Sequence, residues 1–355
     1  MITFGDLPTG PEQMARRLGH PLPGRVIVVR ALPGLGDFLC AVPALRALRA
    51  ALPDAHITLL GLAHARDLAL RYADLLDNFL AFSGFPGILE QPPQVQQFPA
   101  FLQEAHSRSF DLALQMHGSG IVSNLYTLLL GAKRTAGFHL PNHFCPDPDS
   151  FFPYPEHLSE VRRNLMLLAH LGIPSPGEQL DFPVSADDRA AYAALAARHG
   201  LHPGGYVCIH PGAGHDSRRW PTTHFVEAGA ALQERGYRLV LTGTAEEAPL
   251  GRAISAWLPR PVLDLTGQTT LGVAALLLQN ARLLLCNDTG ISHLAAAMKT
   301  PSVVVFVASS PGRWAPLDLR RHRTVGIGNG TVPTVARVLQ AVEELLTGLE
   351  EPAYV

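Results

Sequence analysis

Short apolar runs alternate with longer segments of helical periodicity along the first half of the chain. Residues 25–30 and 56–61 are rich in β-branched and aliphatic side chains, which predicts two buried strands. Asp37 is expected to open a helix that continues to residue 52. Further strands are predicted near 77–83, 110–116 and 134–138, and further helices near 63–76, 94–108 and 120–131. This alternation predicts a parallel sheet covered by helices on both faces.

The same rhythm restarts in the second half. Residues 139–157 are expected to form a long loop before a helix near 159–171, and the Pro- and Gly-rich segment 173–183 is the best linker candidate. Strands are then predicted at 206–210, 238–242, 262–265, 282–286 and 302–307, and helices at 221–235, 245–258, 271–280, 290–298 and 332–347. Two doubly wound domains facing each other across a cleft would direct the carboxyl ends of their strands into that cleft.

Composition narrows the class of protein. The chain has 355 residues, of which 47% are hydrophobic and 16% charged, so a sizeable core can be buried. The formal net charge of −2 argues against a general nucleic-acid-binding surface. Lysine occurs only at Lys133 and Lys299, so arginine carries nearly all the positive charge. Arginine is the better bidentate ligand for phosphate.

Cysteines and apolar runs bear on the compartment. The four cysteines form no Cys-x-x-Cys pair, which favours inert thiols in a reducing compartment. No apolar run reaches the ~18 residues of a membrane span. Residues 1–24 have no apolar core of the signal-peptide kind, and are expected to form an irregular or short-helical lead-in. We therefore expect a soluble, cytoplasmic protein.

The first candidate motif is Pro-Gly-Leu-Gly-Asp at residues 33–37, between a predicted strand and a helix. A dinucleotide fingerprint would need a third glycine where Leu39 stands, and an acid at the end of the second strand, so NAD binding is disfavoured. The glycines indicate a tight turn that a bulky ligand can approach. Asp37 has two interpretations, an ordinary helix N-cap or a carboxylate in the cleft that acts as a general base.

The second motif is His-Pro-Gly-Ala-Gly-His-Asp-Ser-Arg-Arg-Trp-Pro at residues 210–221. Small residues at 212–214 leave backbone amides able to meet an anion. Arg218 and Arg219 can offer guanidinium groups to a phosphate, or form a solvated pair on a loop. The Gly-x-x-x-x-Gly-Lys signature is absent, so this is no P-loop.

The third motif, Asn-Asp-Thr-Gly-Ile-Ser-His at residues 287–293, again joins a strand to a helix. The amides of Thr289 and Gly290 would lie at a helix N-terminus, which suits an anion. Asp288 is either a helix cap or a ligand contact, and His293 is either a ligand contact or a packed core residue.

The fourth motif, at residues 242–247, offers Glu246 or Glu247 to ribose hydroxyls, although first-turn acids also complement the helix dipole. The second, third and fourth motifs all fall at strand carboxyl ends of one domain. Together they provide anion-binding groups and carboxylates, as a nucleoside diphosphate requires, and Asp37 would face them from the other domain.

Other sites are disfavoured by their context. Asp147 and Asp149 form an Asp-x-Asp pair, a pattern that can bind a metal ion, but they lie in a Pro-rich loop. His139, His143 and Cys145 could ligate zinc, but Pro141 prevents a regular helical spacing between the histidines. Neither lysine is well placed for a pyridoxal enzyme. No metal site is predicted.

The combined motifs resemble glycosyltransferase family 9, the lipopolysaccharide heptosyltransferases of GT-B fold. The matching elements are Gly-Leu-Gly-Asp at 34–37 with Val-Pro-Ala-Leu at 42–45, His-Pro-Gly-Ala at 210–213, Arg-Trp-Pro at 219–221, and Asp-Thr-Gly-x-Ser-His with Leu-Ala-Ala-Ala at 288–297. The resemblance covers roughly residues 25–345. It implies an α/β chain with two Rossmann-like domains, an acceptor-binding domain at 1–175 and a donor domain at 176–330. Residues 331–355 would form a C-terminal helix that returns to the first domain.

The resemblance also implies roles for individual residues. Asp37 matches the catalytic base. Arg218 falls where the family has a lysine that contacts the donor phosphates, Asp288 matches a contact to the donor sugar, and Thr289, Gly290 and His293 match the phosphate-binding helix start. The remaining expected donor contacts are Gly36, Gly212, Ala213, Arg219 and Glu246. Two departures from the family pattern, arginine at 218 and Ala-Gly at 213–214, leave the base and sugar of the donor open.

The family activity implied is an inverting, metal-independent transfer of a sugar, by family default heptose from ADP-heptose, to a lipopolysaccharide-type or other saccharide acceptor. The nucleotide sugar would be a substrate, with no cofactor. The acceptor would bring the cytoplasmic protein to the inner face of the cytoplasmic membrane. The alternatives are a nucleotide-sugar epimerase of the same fold and a non-catalytic member that binds a nucleotide sugar or a protein partner.

Overall fold

Two compact units make up the chain. The computed structural model describes residues 7 to 350, and the chain divides between Gln179 and Leu180. This division lies inside the segment expected to be a linker, slightly beyond the expected domain boundary at residue 175. Residues 1 to 6 of the expected lead-in and 351 to 355 of the expected C-terminal segment lie outside the described residues.

The first unit is built on a parallel sheet. Its described strands are β1 (Arg25–Val29), β2 (His56–Gly61), β3 (Asn78–Ala81), β4 (Leu112–Gln115), β5 (Arg134–His139) and β6 (Phe151–Pro153). Its described helices are α1 (Pro11–Leu18), α2 (Leu35–Leu39), α3 (Val42–Ala51), α4 (Arg66–Leu70), α5 (Phe98–Ser107), α6 (Ser123–Leu129) and α7 (Glu160–His170). The strand order is β3-β2-β1-β4-β5-β6. Almost every residue of β1, β2 and β4 is buried, as in a sheet covered on both faces.

The second unit repeats this topology. Its described strands are β7 (Tyr206–His210), β8 (Arg238–Leu241), β9 (Leu263–Asp264), β10 (Leu283–Asn287), β11 (Ser302–Val305) and β12 (His322–Val325). Its described helices are α8 (Ala186–His199), α9 (Thr222–Glu234), α10 (Ala248–Trp257), α11 (Leu271–Gln279), α12 (Gly290–Ala297), α13 (Pro311–Trp314) and α14 (Val335–Glu350). The order β12-β11-β10-β7-β8-β9 has its switch point between β7 and β10, as the first unit has between β1 and β4. The predicted α/β fold class with two Rossmann-like domains is confirmed.

Several element boundaries differ from the sequence expectation. The helix expected from Asp37 to residue 52 is two helices, because α2 ends at Leu39 and α3 begins at Val42. Pro43 stands in the first turn of α3, where a missing N–H is tolerated, and a continuous helix would lose a hydrogen bond there. In place of the helix expected at 63–76, a 3-10 turn leads into the short helix α4.

Four described elements had no counterpart among the predictions, namely α8, α13, β6 and β12. Helix α8 begins with a capping box between Ser185 and Asp188 and ends at Gly200 in the left-handed conformation. The short edge strands β6 and β12 lie in segments expected to be loop.

The C-terminal helix α14, expected to return to the first domain, packs against α9, β11 and β12 of the second unit.

None of the helices between residues 7 and 350 combines the length and the apolarity that spanning a bilayer requires.

His322 makes stability of the second unit depend on pH. The Ser302 hydroxyl on β11 is 2.8 Å from the His322 Nδ1 on β12, and burial lowers the pKa of His322 to about 4. The unfolded chain binds this proton near pH 6.5, while the native chain does not. The free energy of unfolding should therefore fall as the pH drops through this window, with His322 contributing about 3 kcal/mol at most. Urea unfolding of His322→Gln should show a weaker pH dependence than the wild-type protein, and an identical dependence would contradict this assignment.

Candidate functional site

Asp37 lies in the turn that follows β1. It belongs to the first turn of α2, after Gly34, and is half-buried. A side chain on Gly34 would overlap the Asp37 carboxylate, so glycine at this position allows the carboxylate to fold back over the turn. Gly36 is buried within α2. Asp37 thus lies at the carboxyl edge of the first sheet, where doubly wound domains bind ligands.

A buried arginine fixes the backbone of this turn. Arg30 donates from Nε and Nη2 to the main-chain oxygen of Asp37, over 3.0 and 2.7 Å, and from Nη1 to that of Met116 over 2.7 Å. Glu160 on α7 pairs with Arg30 at 3.1 Å and also with Arg163, and all three side chains are at most 5% exposed. Leaving a buried charge unpaired is costly. The guanidinium is therefore held in one orientation, and α7 stabilises the Asp37 turn through it.

His117 lies beside this turn, at the end of β4, and sequence reasoning missed it. The Ala31 amide donates to His117 Nδ1 over 3.2 Å, so Nε2 carries the proton of the neutral ring and lies 3.5 Å from Glu90 Oε2. Burial lowers the pKa of His117, the Arg30 charge lowers it further, and Glu90 opposes both effects. The position of His117, directly after a strand at the switch point, was the available signal.

In the second unit, the buried side chain of Asn287 connects two of the predicted motifs. Its Oδ1 accepts a hydrogen bond from the Trp220 amide over 2.8 Å, and its Nδ2 donates to the main-chain oxygens of Pro211 and Gly212, over 2.7 and 3.2 Å. Trp220 is itself buried and donates from its indole to Pro333 over 2.8 Å. Asn287 therefore holds the His-Pro-Gly-Ala turn against the end of β10.

The two arginines of this loop differ in their contacts. Arg219 donates to the main-chain oxygen of Ala213 over 3.2 Å and pairs with Asp216 at 2.7 Å, so it braces the loop. The Arg218 side chain is half-buried, and its guanidinium makes no ion pair or hydrogen bond within residues 7 to 350. Of the two, Arg218 is the guanidinium better able to bind an anion.

The start of α12 carries the third motif. Asp288 is buried, and the hydroxyl of Ser309 donates to its Oδ2. The Thr289 side chain does not cap the helix, so amides of the first turn remain able to meet a ligand anion. Gly290 is the first helical residue, and His293 is buried one turn further on, with its ring 6.1 Å from that of Trp314.

In the fourth motif, Glu247 rather than Glu246 contacts other residues of the candidate site. Glu247 accepts from the Thr244 amide over 2.8 Å, lies 3.6 Å from His210 Nε2, and covers Gly212 so closely that a side chain there would overlap its carboxylate. Glu246 is exposed. The structure therefore brings Glu247, His210 and Gly212 together, and Glu246 lies outside that group.

The carboxyl ends of β7, β8 and β10 thus gather most of the predicted donor-binding residues in one unit. The side chain of Asn287 joins the Gly212–Ala213 turn to β10, and Glu247 joins the same turn to the end of β8. A guanidinium, helix-start amides and a carboxylate together suit a ligand that carries phosphate next to hydroxyl groups.

The carboxylates of Asp147 and Asp149 make hydrogen bonds and an ion pair that stabilise their own loop. Asp147 accepts hydrogen bonds from the Asp149 amide over 3.0 Å and the Ser150 hydroxyl over 2.6 Å, and Asp149 pairs with Arg17. Between residues 7 and 350 there is no group of three or more His, Cys, Asp and Glu side chains that could hold a metal ion.

Comparison with known proteins assigns the family. A family model described as glycosyltransferase family 9 (heptosyltransferase) matches residues 99–340, about two thirds of the chain. The chain belongs to glycosyltransferase family 9. The family resemblance inferred from the motifs is confirmed.

The chain is also similar in sequence and in structure to individual heptosyltransferases. Lipooligosaccharide heptosyltransferase 2 of Haemophilus influenzae is 33% identical over 106 residues, which are 29% of this chain and only 31% of that protein. Lipopolysaccharide heptosyltransferase 3 of Escherichia coli is 24% identical over 295 residues, 79% of this chain and 83% of that protein. A solved structure of the E. coli ADP-heptose lipopolysaccharide heptosyltransferase II matches with a TM-score of 0.72 and 23% identity, over 92% of this chain and 100% of that one. At this identity the structural match establishes the shared fold.

Alanine at position 212 should displace Glu247. Because the Glu247 charge raises the pKa of His210 against the effect of burial, Gly212→Ala should lower that pKa further, as measured by titration of the His210 ring by NMR. Gly214→Ala is the matched control, since a methyl group at 214 meets no other atom within 4 Å. Equal His210 titration in both variants would contradict the packing of Glu247 on Gly212.

Proposed function

We propose that this family 9 member transfers heptose from ADP-heptose to a saccharide acceptor of the lipopolysaccharide type, with inversion at the anomeric carbon and without a metal. The observation that supports binding of the nucleotide-sugar donor is the cluster at the ends of β7, β8 and β10. There the Arg218 guanidinium, which has no partner among the described residues, accompanies the amides at the start of α12. The printed name of the related E. coli enzyme supports ADP-heptose as the donor.

The second unit would bind the donor. Arg218 and the amides of Thr289 and Gly290 would contact the diphosphate, and Asp288 would contact the sugar. The turn at Gly212 and Ala213 would contact the donor, with Arg219 holding that turn through Ala213. We assign the ribose-facing carboxylate to Glu247, because it lies against Gly212 while Glu246 is exposed.

The first unit would bind the acceptor and supply the base. Asp37 would take the proton from an acceptor hydroxyl. The acceptor oxygen then forms a bond to the anomeric carbon on the face opposite the nucleotide, while the bond from that carbon to the diphosphate oxygen breaks and its electron pair leaves with ADP. This displacement inverts the anomeric configuration.

The leaving diphosphate gains negative charge as the bond breaks. A guanidinium and backbone amides already directed at that charge stabilise it without reorganising, which is the main electrostatic contribution expected of such a site. These groups would take the place of a metal ion. A lipid-linked acceptor would further bring the chain to the inner face of the cytoplasmic membrane as a peripheral protein.

Nucleotide binding provides the direct test of the donor site. We expect ADP, and not UDP, GDP or dTDP, to raise the unfolding temperature in the presence of EDTA. A ligand at 100 times its dissociation constant adds about 2.7 kcal/mol to the stability of the native state. Arg218→Ala should lose most of this stabilisation, because it removes the guanidinium that faces the phosphates.

Arg189→Ala, which removes an exposed arginine from α8, is the matched control and should retain the response to ADP. The absence of stabilisation by any of the four nucleotides would contradict the proposed donor site. Isomerisation of the donor in the absence of an acceptor would instead assign the chain to the nucleotide-sugar epimerases.

A further inference from the structure

The turn that carries Asp37 is held at both of its ends. It begins with Ala31, directly after Arg30, and closes with Asp37 in the first turn of α2. Arg30 holds the closing end through the main-chain oxygen of Asp37. His117 holds the opening end, because its Nδ1 accepts a hydrogen bond from the Ala31 amide over 3.2 Å. Arg30 and His117 therefore restrain opposite ends of the same turn.

The Ala31 amide depends on this histidine. Ala31 is 1% exposed, and within the described residues its N–H donates to no acceptor other than His117 Nδ1. A buried amide that loses its acceptor is destabilising, because it has already given up its hydrogen bond to water. An apolar side chain at position 117 would therefore favour a turn that has moved until the Ala31 amide finds another partner.

The imidazole is itself anchored to the end of β4. The main-chain oxygen of His117 accepts hydrogen bonds from Gln115 Nε2 and from the Ser123 hydroxyl, each over 2.7 Å. The preceding main-chain oxygen, that of Met116, accepts from Arg30 Nη1 over 2.7 Å. The donating side chains of Gln115, Ser123 and Arg30 are all buried. His117 thus offers the turn an acceptor whose position is fixed.

Glu90 favours the tautomer that this role requires. Its Oε2 lies 3.5 Å from His117 Nε2, which favours a proton on Nε2 and leaves the lone pair on Nδ1. Burial and the charge of Arg30 lower the pKa of His117, and Glu90 opposes both effects, so the ring is neutral at pH 7. A neutral ring with its proton on Nε2 can accept from the Ala31 amide, whereas a doubly protonated ring cannot.

We propose that His117 is a positioning residue for the base of the transfer reaction. By fixing the start of the turn, it would keep the Asp37 carboxylate where it meets the acceptor hydroxyl. The inference rests on the proposed transferase function and adds a residue to its machinery. His117 would act through the backbone of the turn, while Asp37 takes the proton. Such a restraint matters because a displacement of about 1 Å in a reacting group can reduce the rate about a hundredfold.

Two substitutions separate the hydrogen-bond acceptor from the bulk of the ring. His117→Asn keeps an acceptor oxygen near the position of Nδ1, and His117→Leu removes it. We expect His117→Leu to lower kcat for heptose transfer about ten- to a hundredfold through misplacement of the base. KM for ADP-heptose should not change, because the donor would bind in the second unit. His117→Asn should stay within about threefold of the wild-type kcat, since it retains the hydrogen bond.

A double variant tests whether His117 acts through Asp37. His117→Leu combined with Asp37→Asn should transfer heptose no more slowly than Asp37→Asn alone, because a residue that positions the base has no effect once the base is gone. Hydrogen–deuterium exchange gives a readout that does not depend on transfer. Residues 31–37 should take up deuterium faster in His117→Leu than in the wild-type protein, and at the wild-type rate in His117→Asn.

His56→Leu is the matched control, because His56 is exposed at the first position of β2, at the amino edge of the same sheet, and it should transfer normally. If His117→Leu does not fold, His117→Gln replaces it, since its amide reaches the position of Nε2 and not that of Nδ1. The same fall in kcat is expected of it.

Normal kcat without the acceptor at position 117, an equal loss in His117→Asn, or losses that multiply in the double variant would overturn the proposal. Transfer by the wild-type protein is measured alongside. If the wild type transfers heptose from ADP-heptose, these outcomes contradict only the role of His117. If it transfers none, the proposed function itself fails.

Discussion

The buried charge of Arg30 is the constraint on which the geometry of the first unit depends. A guanidinium out of water must have nearly all its donors paired, and here they meet Glu160 and the main-chain oxygens of Asp37 and Met116. Those partners belong to a helix, a turn and the end of a strand, so one side chain fixes the relative positions of all three. The backbone of the proposed base is therefore held by a side chain that is itself almost fully buried.

In the second unit, a neutral side chain holds the loop that follows a central strand. Asn287, at the end of β10, satisfies its amide against two segments of the His-Pro-Gly-Ala to Trp-Pro loop. In both units a buried polar residue at the carboxyl end of a central strand holds a turn that belongs to the proposed site. Since such a group is stable only when fully hydrogen-bonded, it specifies one loop conformation where an apolar residue would allow several.

The sequence predicted features that depend on local pattern and missed those that depend on tertiary contacts. Buried β-branched runs and the strand–turn–helix motifs at 33–37, 210–221 and 287–293 signalled the doubly wound topology, because their periodicity and composition are local. The short strands β6 and β12 form only by pairing at a sheet edge, and no local pattern distinguishes them from loop. Helix α8 is different, because the Ser185–Asp188 capping box before an alanine-rich run is a local signal for it.

The candidate site shows the same limit at the level of single residues. Whether Glu246 or Glu247 covers Gly212 depends on the position of the turn to within one residue. The capping box between Thr244 and Glu247 fixes that position, and it is Glu247 that covers Gly212. Arg30 and His117 acquire their roles from contacts across 86 to 130 residues of sequence, with Met116, Glu160 and Ala31. Spacing along the chain carries no signal for such contacts.

The central claim is that Asp37 is the base of a sugar transfer. The most direct measurement compares heptose transfer from ADP-heptose to a truncated lipopolysaccharide acceptor by the wild-type protein and by Asp37→Asn, which preserves the size of the side chain but cannot accept the proton. Transfer should fall by about 10²–10⁴-fold while stabilisation by ADP is unchanged, and Asp74→Asn, at an exposed carboxylate of the same unit, should transfer normally. Full transfer by an Asp37→Asn protein that still binds ADP would contradict the account.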